Sequence, residues 1–265
     1  MPELPEVETV RRQLVPLVVG RRVRAAGGHP SAKFASAQAA VGARIDAVAR
    51  RGKYLLLALD DDRELVVHLG MTGVLRPRPA GPADPYVRAW WDLGDLVLEL
   101  RDVRRFGRVA VVRRGDHRAL PTLAALGPEP FDPAFTPDGL WRDLRASRLR
   151  VKTQLLGQRP VAGLGNIYAD EALWRAHVHP AARSISRTRA TALHGAVRAV
   201  LAAGIANGGT TLRDYRRVDG ERGTNQLHLD CYGRAGSSCR RCGTTLVRRV
   251  VDGRGTTLCP ACQRR

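Results

Sequence analysis

The chain has 265 residues, enough for one large or two modest domains, and 44% are hydrophobic with no apolar run near the length of a membrane span. A formal net charge of +19 points to a polyanionic partner, nucleic acid ahead of an anionic membrane surface, because each phosphate neutralised by Lys or Arg releases condensed counterions. The chain does not open on a basic region followed by an apolar one, so no secretory signal is expected and the cytoplasm is the expected compartment.

The first ten residues, MPELPEVETV, place a proline behind the initiator methionine and carboxylates at Glu3, Glu6 and Glu8. Pro5 suits a first helical turn, acidic residues suit the positive end of a helix, and Val7, Val10, Leu14 and Leu17 form an apolar stripe at helical spacing. Initiator methionine is normally removed before a small residue such as proline, which would leave Pro2 as a free secondary amine. The helix-start and free-amine readings are compatible.

Residues 53–59 and 64–69, separated by Asp60, Asp61 and Asp62, read as a strand hairpin. A second pair, 88–93 and 96–101, turns at Gly94 and Asp95, and a strand follows at 108–112. The proline-rich stretch from about 115 to 135 reads as a linker, ending at Thr136 as a helix cap with Pro137 in the first turn. Helical spacing recurs around 140–144, 151–156, 167–174 and 190–201, until Gly208 and Gly209 stop it. The polar, glycine-containing stretch beyond reads as a mobile loop.

Four of the five cysteines form Cys239-x-x-Cys242 and Cys259-x-x-Cys262, the spacing of a zinc ribbon. Four protein ligands leave no open position, so the expected Zn2+ is structural. Disulfides or free thiols are the weaker reading, and Cys231 is expected to be a small buried hydrophobe. The segment between the knuckles turns at Asp252-Gly253, placing Arg254 at the tip of a two-stranded finger, where a guanidinium can meet phosphate.

PELPEVE at the amino terminus, RRGKYLLL at 50–57, HLGMTG at 68–73, RRFG at 104–107, VAGLGNIYADEALWRA at 161–176, GGTTLRDY at 208–215 and the terminal finger together resemble the formamidopyrimidine-DNA glycosylase family, which also contains endonuclease VIII. The resemblance spans the chain and implies an α+β protein. It would have a β-sandwich catalytic domain with an N-terminal helix (1–115), a linker (116–135), a helix-two-turns-helix DNA-binding domain (136–230) whose lesion loop is 211–226, and a zinc finger (231–265). Damaged duplex DNA would lie in the cleft between domains, the protein acting as a monomer, with no membrane partner and no redox or organic cofactor.

The resemblance also implies roles. Pro2 would attack the sugar C1′; an α-amino group has a reference pKa of about 7.7–8.0, against about 10.4 for lysine, so it is appreciably neutral near pH 7. Glu3 would protonate the opening sugar and move protons during elimination. Glu6 is counted with the DNA-binding positions, as an organiser or proton relay. Lys53 and Arg254 complete the catalytic set as phosphate grips, joined by His68 and Asn166; Lys152 and Tyr168 are further DNA-binding positions. Taken alone, Lys53 reads as solvated surface, His68 as a core or edge histidine and Asn166 as a cap. Met71, Arg104 and Phe106 match a trio that fills the void left by an extruded nucleotide, although a lone Met or Phe is more often core.

The chain departs from the commonest pattern at GTNQ (223–226) in place of GYFQ, at LLGQ (155–158) in place of LLDQ, and at LDCYGR, where a cysteine enters. PELPEVE and RRFG favour oxidised purines as substrate. The alternatives are a glycosylase for oxidised pyrimidines or other adducts, and a non-catalytic zinc-ribbon binder of damaged DNA.

Overall fold

The computed structural model describes residues 2–78 and 84–264, so Met1, whose removal would free the Pro2 amine, lies outside the described residues. The chain divides into two compact units, 1–124 with 207–226 and 125–206 with 227–265.

The first unit opens with α1 (Leu4–Val18), begun by a capping box in which the Glu3 side chain accepts from the Glu6 backbone and Glu6 accepts from the Glu3 N–H. Strands β1 (Ala25–Gly28), β2 (Ile45–Arg51), β3 (Tyr54–Leu59), β4 (Arg63–His68), β5 (Val74–Pro77), β6 (Val87–Asp92), β7 (Val97–Arg101) and β8 (Arg108–Arg113) follow, then the short α2 (Pro121–Ala124) inside the expected linker. They form two antiparallel four-stranded sheets, ordered β2-β3-β4-β8 and β1-β6-β7-β5. Both sheets and the apolar stripe of α1 share one core, with Leu55, Leu57, Leu65 and Val67 from one sheet, Trp91, Leu98 and Leu100 from the other, and Val7, Val10 and Leu14 from the helix. Glu8 ties α1 to β2 by accepting from Arg11, Arg12 and Arg50.

The expected hairpins are present as β3–β4 and β6–β7. Three strands carried no sequence signal: β1 is AAGG, without a branched side chain; β2, IDAVARR, buries Ile45 and Val48 three residues apart and so lacks the two-residue period; β5 has four residues ending in proline.

The 211–226 segment, expected as a mobile loop of the helical domain, belongs to the first unit and is tied down along its length. Thr211 N–H donates to Gln226 Oε1 (2.9 Å), Gly223 N–H to Thr211 Oγ1 (3.0 Å) and Val218 N–H to Gln13 Oε1 of α1 (2.8 Å). The Thr211 and Gln226 side chains serve as internal partners, while Arg213, Asp214, Asp219, Glu221 and Arg222 are exposed, as the polar composition suggests.

The second unit contains α3 (Pro137–Arg145), α4 (Val151–Leu156), α5 (Asn166–Arg175) and α6 (Arg187–Ala206), then the hairpin of β9 (Val247–Val251) and β10 (Arg254–Leu258). Thr136 caps α3 as expected, accepting from Gly139 N–H at 3.0 Å. The two short turns between α4 and α5 contain Gln158 in the left-handed region (φ 57°), its Oε1 accepting from Gly163 N–H at 2.9 Å. Among the described residues no helix is long and apolar enough to cross a membrane.

Candidate active site

Pro2 and Glu3 stand immediately before α1 and are both buried. Glu6 holds this end by both carboxylate oxygens: Oε2 accepts the Glu3 N–H at 2.7 Å and Oε1 accepts the Thr210 N–H at 2.6 Å. The Tyr215 hydroxyl reaches the Glu6 carbonyl at 3.4 Å. Gly209 makes this approach possible: it has φ +85°, and a Cβ there would lie 2.9 Å from Glu6 Cγ. Glu6 was expected among the DNA-binding positions; with both oxygens committed to buried backbone N–H groups, it is an organiser of the amino terminus.

Lys53 sits on the tight turn between β2 and β3, after Gly52 with φ 55°, and is buried, not solvated. Tyr54, beside it, pairs across the sheet with His68, and their rings lie 4.6 Å apart. Burial, with the Lys53 and Arg108 charges, pushes the His68 pKa down to about 4, so the ring is neutral near pH 7. Its Nδ1 accepts the Gly70 N–H at 3.1 Å, which leaves the proton on Nε2 as a donor suited to a phosphate oxygen.

Met71 and Phe106 are 40% and 47% exposed, so neither is core, as the wedge reading requires. They stand on two turns packed back to back, where a Cβ on Gly70 (φ +64°) would come within 2.4 Å of the Phe106 backbone. The Arg104 guanidinium lies 4.7 Å from the centre of the Phe106 ring. Between them Arg105 is left-handed (φ 56°), a strained conformation for a residue with a side chain. The fully buried Asp102 holds both turns, accepting from Thr72 Oγ1 (2.6 Å) and Gly107 N–H (2.7 Å). The sequence reading passed over Asp102; its only signal is a lone carboxylate before RRFG.

In the second unit the zinc-finger hairpin turns through Asp252 (φ 45°) and Gly253 (φ 76°), as a two-residue primed turn requires, and Arg254 follows exposed at its tip. Asn166 opens α5 and its Nδ2 donates to the carbonyl of Gly255, next to Arg254, at 2.9 Å. Lys152 Nζ bonds the same carbonyl at 3.2 Å and Thr256 Oγ1 at 2.8 Å, and pairs with Asp170 at 2.6 Å. Lys152 is 0% exposed, which corrects the expectation that it contacts DNA. Burial pushes the Asp170 carboxyl up to about 6, against the pull of Lys152 and the Thr257 N–H. Tyr168, in the first turn of α5, has a buried side chain beside Gly204 of α6. Its ring therefore packs helices together, and only backbone groups at the positive end of α5 suit a phosphate.

The sulfurs of Cys239, Cys242, Cys259 and Cys262 lie within 4.8 Å of one another, with Cys242 at 3.5 Å from Cys259 and 3.4 Å from Cys262. These separations exceed a disulfide bond of about 2.05 Å and approach the about 3.8 Å edge of a tetrahedron with zinc–sulfur bonds of about 2.3 Å. The donor set fits one structural Zn2+. Cys231 stands outside it, fully buried with Trp174 and Leu246, its thiol donating to the Thr257 carbonyl at 3.1 Å, and burial pushes its pKa up. Glu171, also missed from sequence, fixes the approach to the finger by accepting from the N–H groups of Asp230, Cys231 and Tyr232 at 2.7–3.0 Å.

Three family models match in succession: the formamidopyrimidine-DNA glycosylase N-terminal domain over residues 1–109, its H2TH domain over 126–216, and the zinc finger found in FPG and IleRS over 236–265. The formamidopyrimidine-DNA glycosylase of Thermus thermophilus is 49% identical, with 99% of this chain and 98% of that protein aligned. The crystal structure of the Thermus thermophilus MutM (Fpg) protein superposes with a TM-score of 0.92 at 48% identity, covering 99% of this chain and 98% of that one. A Lactococcus lactis Fpg variant in complex with DNA containing Fapy-dG gives 0.91 at 35% identity over 100% of both chains.

Proposed function

This chain belongs to the formamidopyrimidine-DNA glycosylase family, and from that premise we propose that it excises oxidised purines, 8-oxoguanine and formamidopyrimidines, from duplex DNA and then cuts the strand at the abasic site. The observation that carries the reading is Pro2 with Glu3 held at the start of α1 by Glu6. Once Met1 is removed, the Pro2 nitrogen attacks C1′, the C1′–base bond breaks, and the damaged base leaves with the electron pair and a proton. Glu3 supplies a proton to the opening sugar oxygen. A secondary amine gives an iminium that is necessarily cationic, an electron sink that acidifies C2′. Loss of that proton expels the 3′ phosphate, and a second elimination expels the 5′ phosphate. Lys53, His68, Asn166 and Arg254 take the backbone phosphates around the lesion, positioning DNA without reading sequence. Met71 and Phe106 fill the vacated stack while Arg104 bonds the orphaned base. The Zn2+ contributes fold only, holding the hairpin that presents Arg254. The place of action is the cytoplasm, at the bacterial nucleoid.

The test is a duplex with one 8-oxoguanine opposite cytosine. Release of free 8-oxoguanine with a one-nucleotide gap bearing phosphate on both sides is expected. An intact strand here beside cleavage of an oxidised-pyrimidine duplex would overturn the purine assignment.

A further inference from the structure

We propose that Asn225 is a positioning residue for the catalytic amino terminus, acting through a buried hydrogen-bond relay that runs from the far end of the lesion loop to the Pro2–Glu3 peptide. The inference rests on the functional reading above and adds a residue that it does not use. Asn207 Nδ2 donates to Asn225 Oδ1 at 3.1 Å, and Asn225 Nδ2 donates to Thr210 Oγ1 at 2.8 Å. The Thr210 backbone N–H donates to Glu6 Oε1 at 2.6 Å, and Glu6 Oε2 accepts the Glu3 N–H at 2.7 Å. Asn225, Thr210, Glu6 and Glu3 are all buried, so water does not stand in for a missing member.

The last link is what reaches the chemistry. The peptide joining Pro2 to Glu3 is planar, so fixing the Glu3 N–H fixes the placement of the Pro2 Cα and leaves rotation about a single backbone bond to aim the ring nitrogen. The first link departs from the commoner family pattern, because Asn225 stands in GTNQ where GYFQ has an aromatic ring. An aromatic ring can hold the loop end only by packing. The Asn225 amide holds it by directed bonds, and Asn225 N–H also donates to the Gly209 carbonyl at 3.1 Å, clasping the two ends of the loop at the point where Glu6 meets it. The loop that meets the lesion and the amine that attacks the sugar are thereby oriented by one network.

The experiment compares Asn225→Leu, Thr210→Val and the double variant in single-turnover excision on the 8-oxoguanine duplex, with affinity measured on an uncleavable abasic-analogue duplex. A misplacement on the order of 1 Å costs up to about 10²-fold in rate. Each single variant is expected to lose about tenfold in excision with affinity within about twofold, and the double to lose no more than either single, because both break the same relay. Amide hydrogen exchange on the same proteins reads the relay without substrate, with faster exchange at Thr210 and Glu3 expected in Asn225→Leu. Excision within twofold of wild type, multiplicative losses in the double variant, or unchanged exchange at both amides would overturn the relay. A wild-type protein that excises nothing would instead overturn the functional reading and leave the exchange measurement to decide the relay.

Discussion

Replacing Glu3 by glutamine keeps an acceptor for the Glu6 N–H in the capping box while removing the carboxylate proposed to move protons. Loss of a general acid costs about 10²–10⁴-fold. Single-turnover excision by Glu3→Gln is therefore expected to fall by at least about a hundredfold while the melting temperature hardly moves; comparable losses in both would mean that Glu3 only starts the helix. Glu8, two turns from the amine, has a different kind of role. Burial raises its carboxyl, but Arg11, Arg12 and Arg50 together outweigh burial and hold it down at about 2, from an ordinary 4.5. A depressed carboxyl adds stability that is fully present above 4.5 and is lost as pH falls through about 2. Glu8→Gln is expected to melt below wild type at pH 7, with the gap closing between pH 4.5 and 2; a gap that persists at pH 2 would contradict the ion-pair account.

At the level of elements, Lys152 shows how a correct local reading leads to a wrong role. Its retention among 44 basic residues, nearly all arginine, marks it as unusual, and its helix was placed correctly from spacing. Sequence does not reveal that α4 turns it inward onto Asp170 and the Gly255 carbonyl, because that partner lies 103 residues away. Removing one member of a buried pair costs about 3–5 kcal/mol. Lys152→Met is expected to lose about that much in denaturant unfolding, and the loss should shrink when Asp170→Leu is added; an unchanged midpoint for Lys152→Met would refute the pairing. Pro2, Lys53, Met71, Phe106 and Arg254 were singled out by the family motifs that carry them and not by local pattern, since Lys53 alone reads as solvated surface and is buried, and Met71 and Phe106 alone read as core and are exposed. Asp102, Glu171 and the Glu6–Thr210 bond were not, since a carboxylate that binds distant backbone N–H groups looks like any other carboxylate. Strands β1, β2 and β5 were missed for the same reason, being strands by virtue of their neighbours.

For the whole molecule, a net charge of +19 and a run of phosphate-seeking side chains require that DNA affinity fall steeply and linearly with the logarithm of salt concentration. Stripping the four thiolates of zinc is expected to release the hairpin that carries Arg254 and to abolish duplex binding, with one equivalent of zinc recovered per chain; binding that survives complete zinc loss would remove the finger from the interface. Attack by the Pro2 nitrogen would leave an iminium that borohydride reduces to a stable adduct, so trapping on a duplex carrying 8-oxoguanine opposite cytosine, with the adduct mapped by peptide mass, reads that step itself. One covalent adduct is expected, on the peptide that begins at Pro2, with Met1 absent. An adduct mapped to Lys53 or elsewhere, or none on a chain lacking Met1, would contradict attack by Pro2.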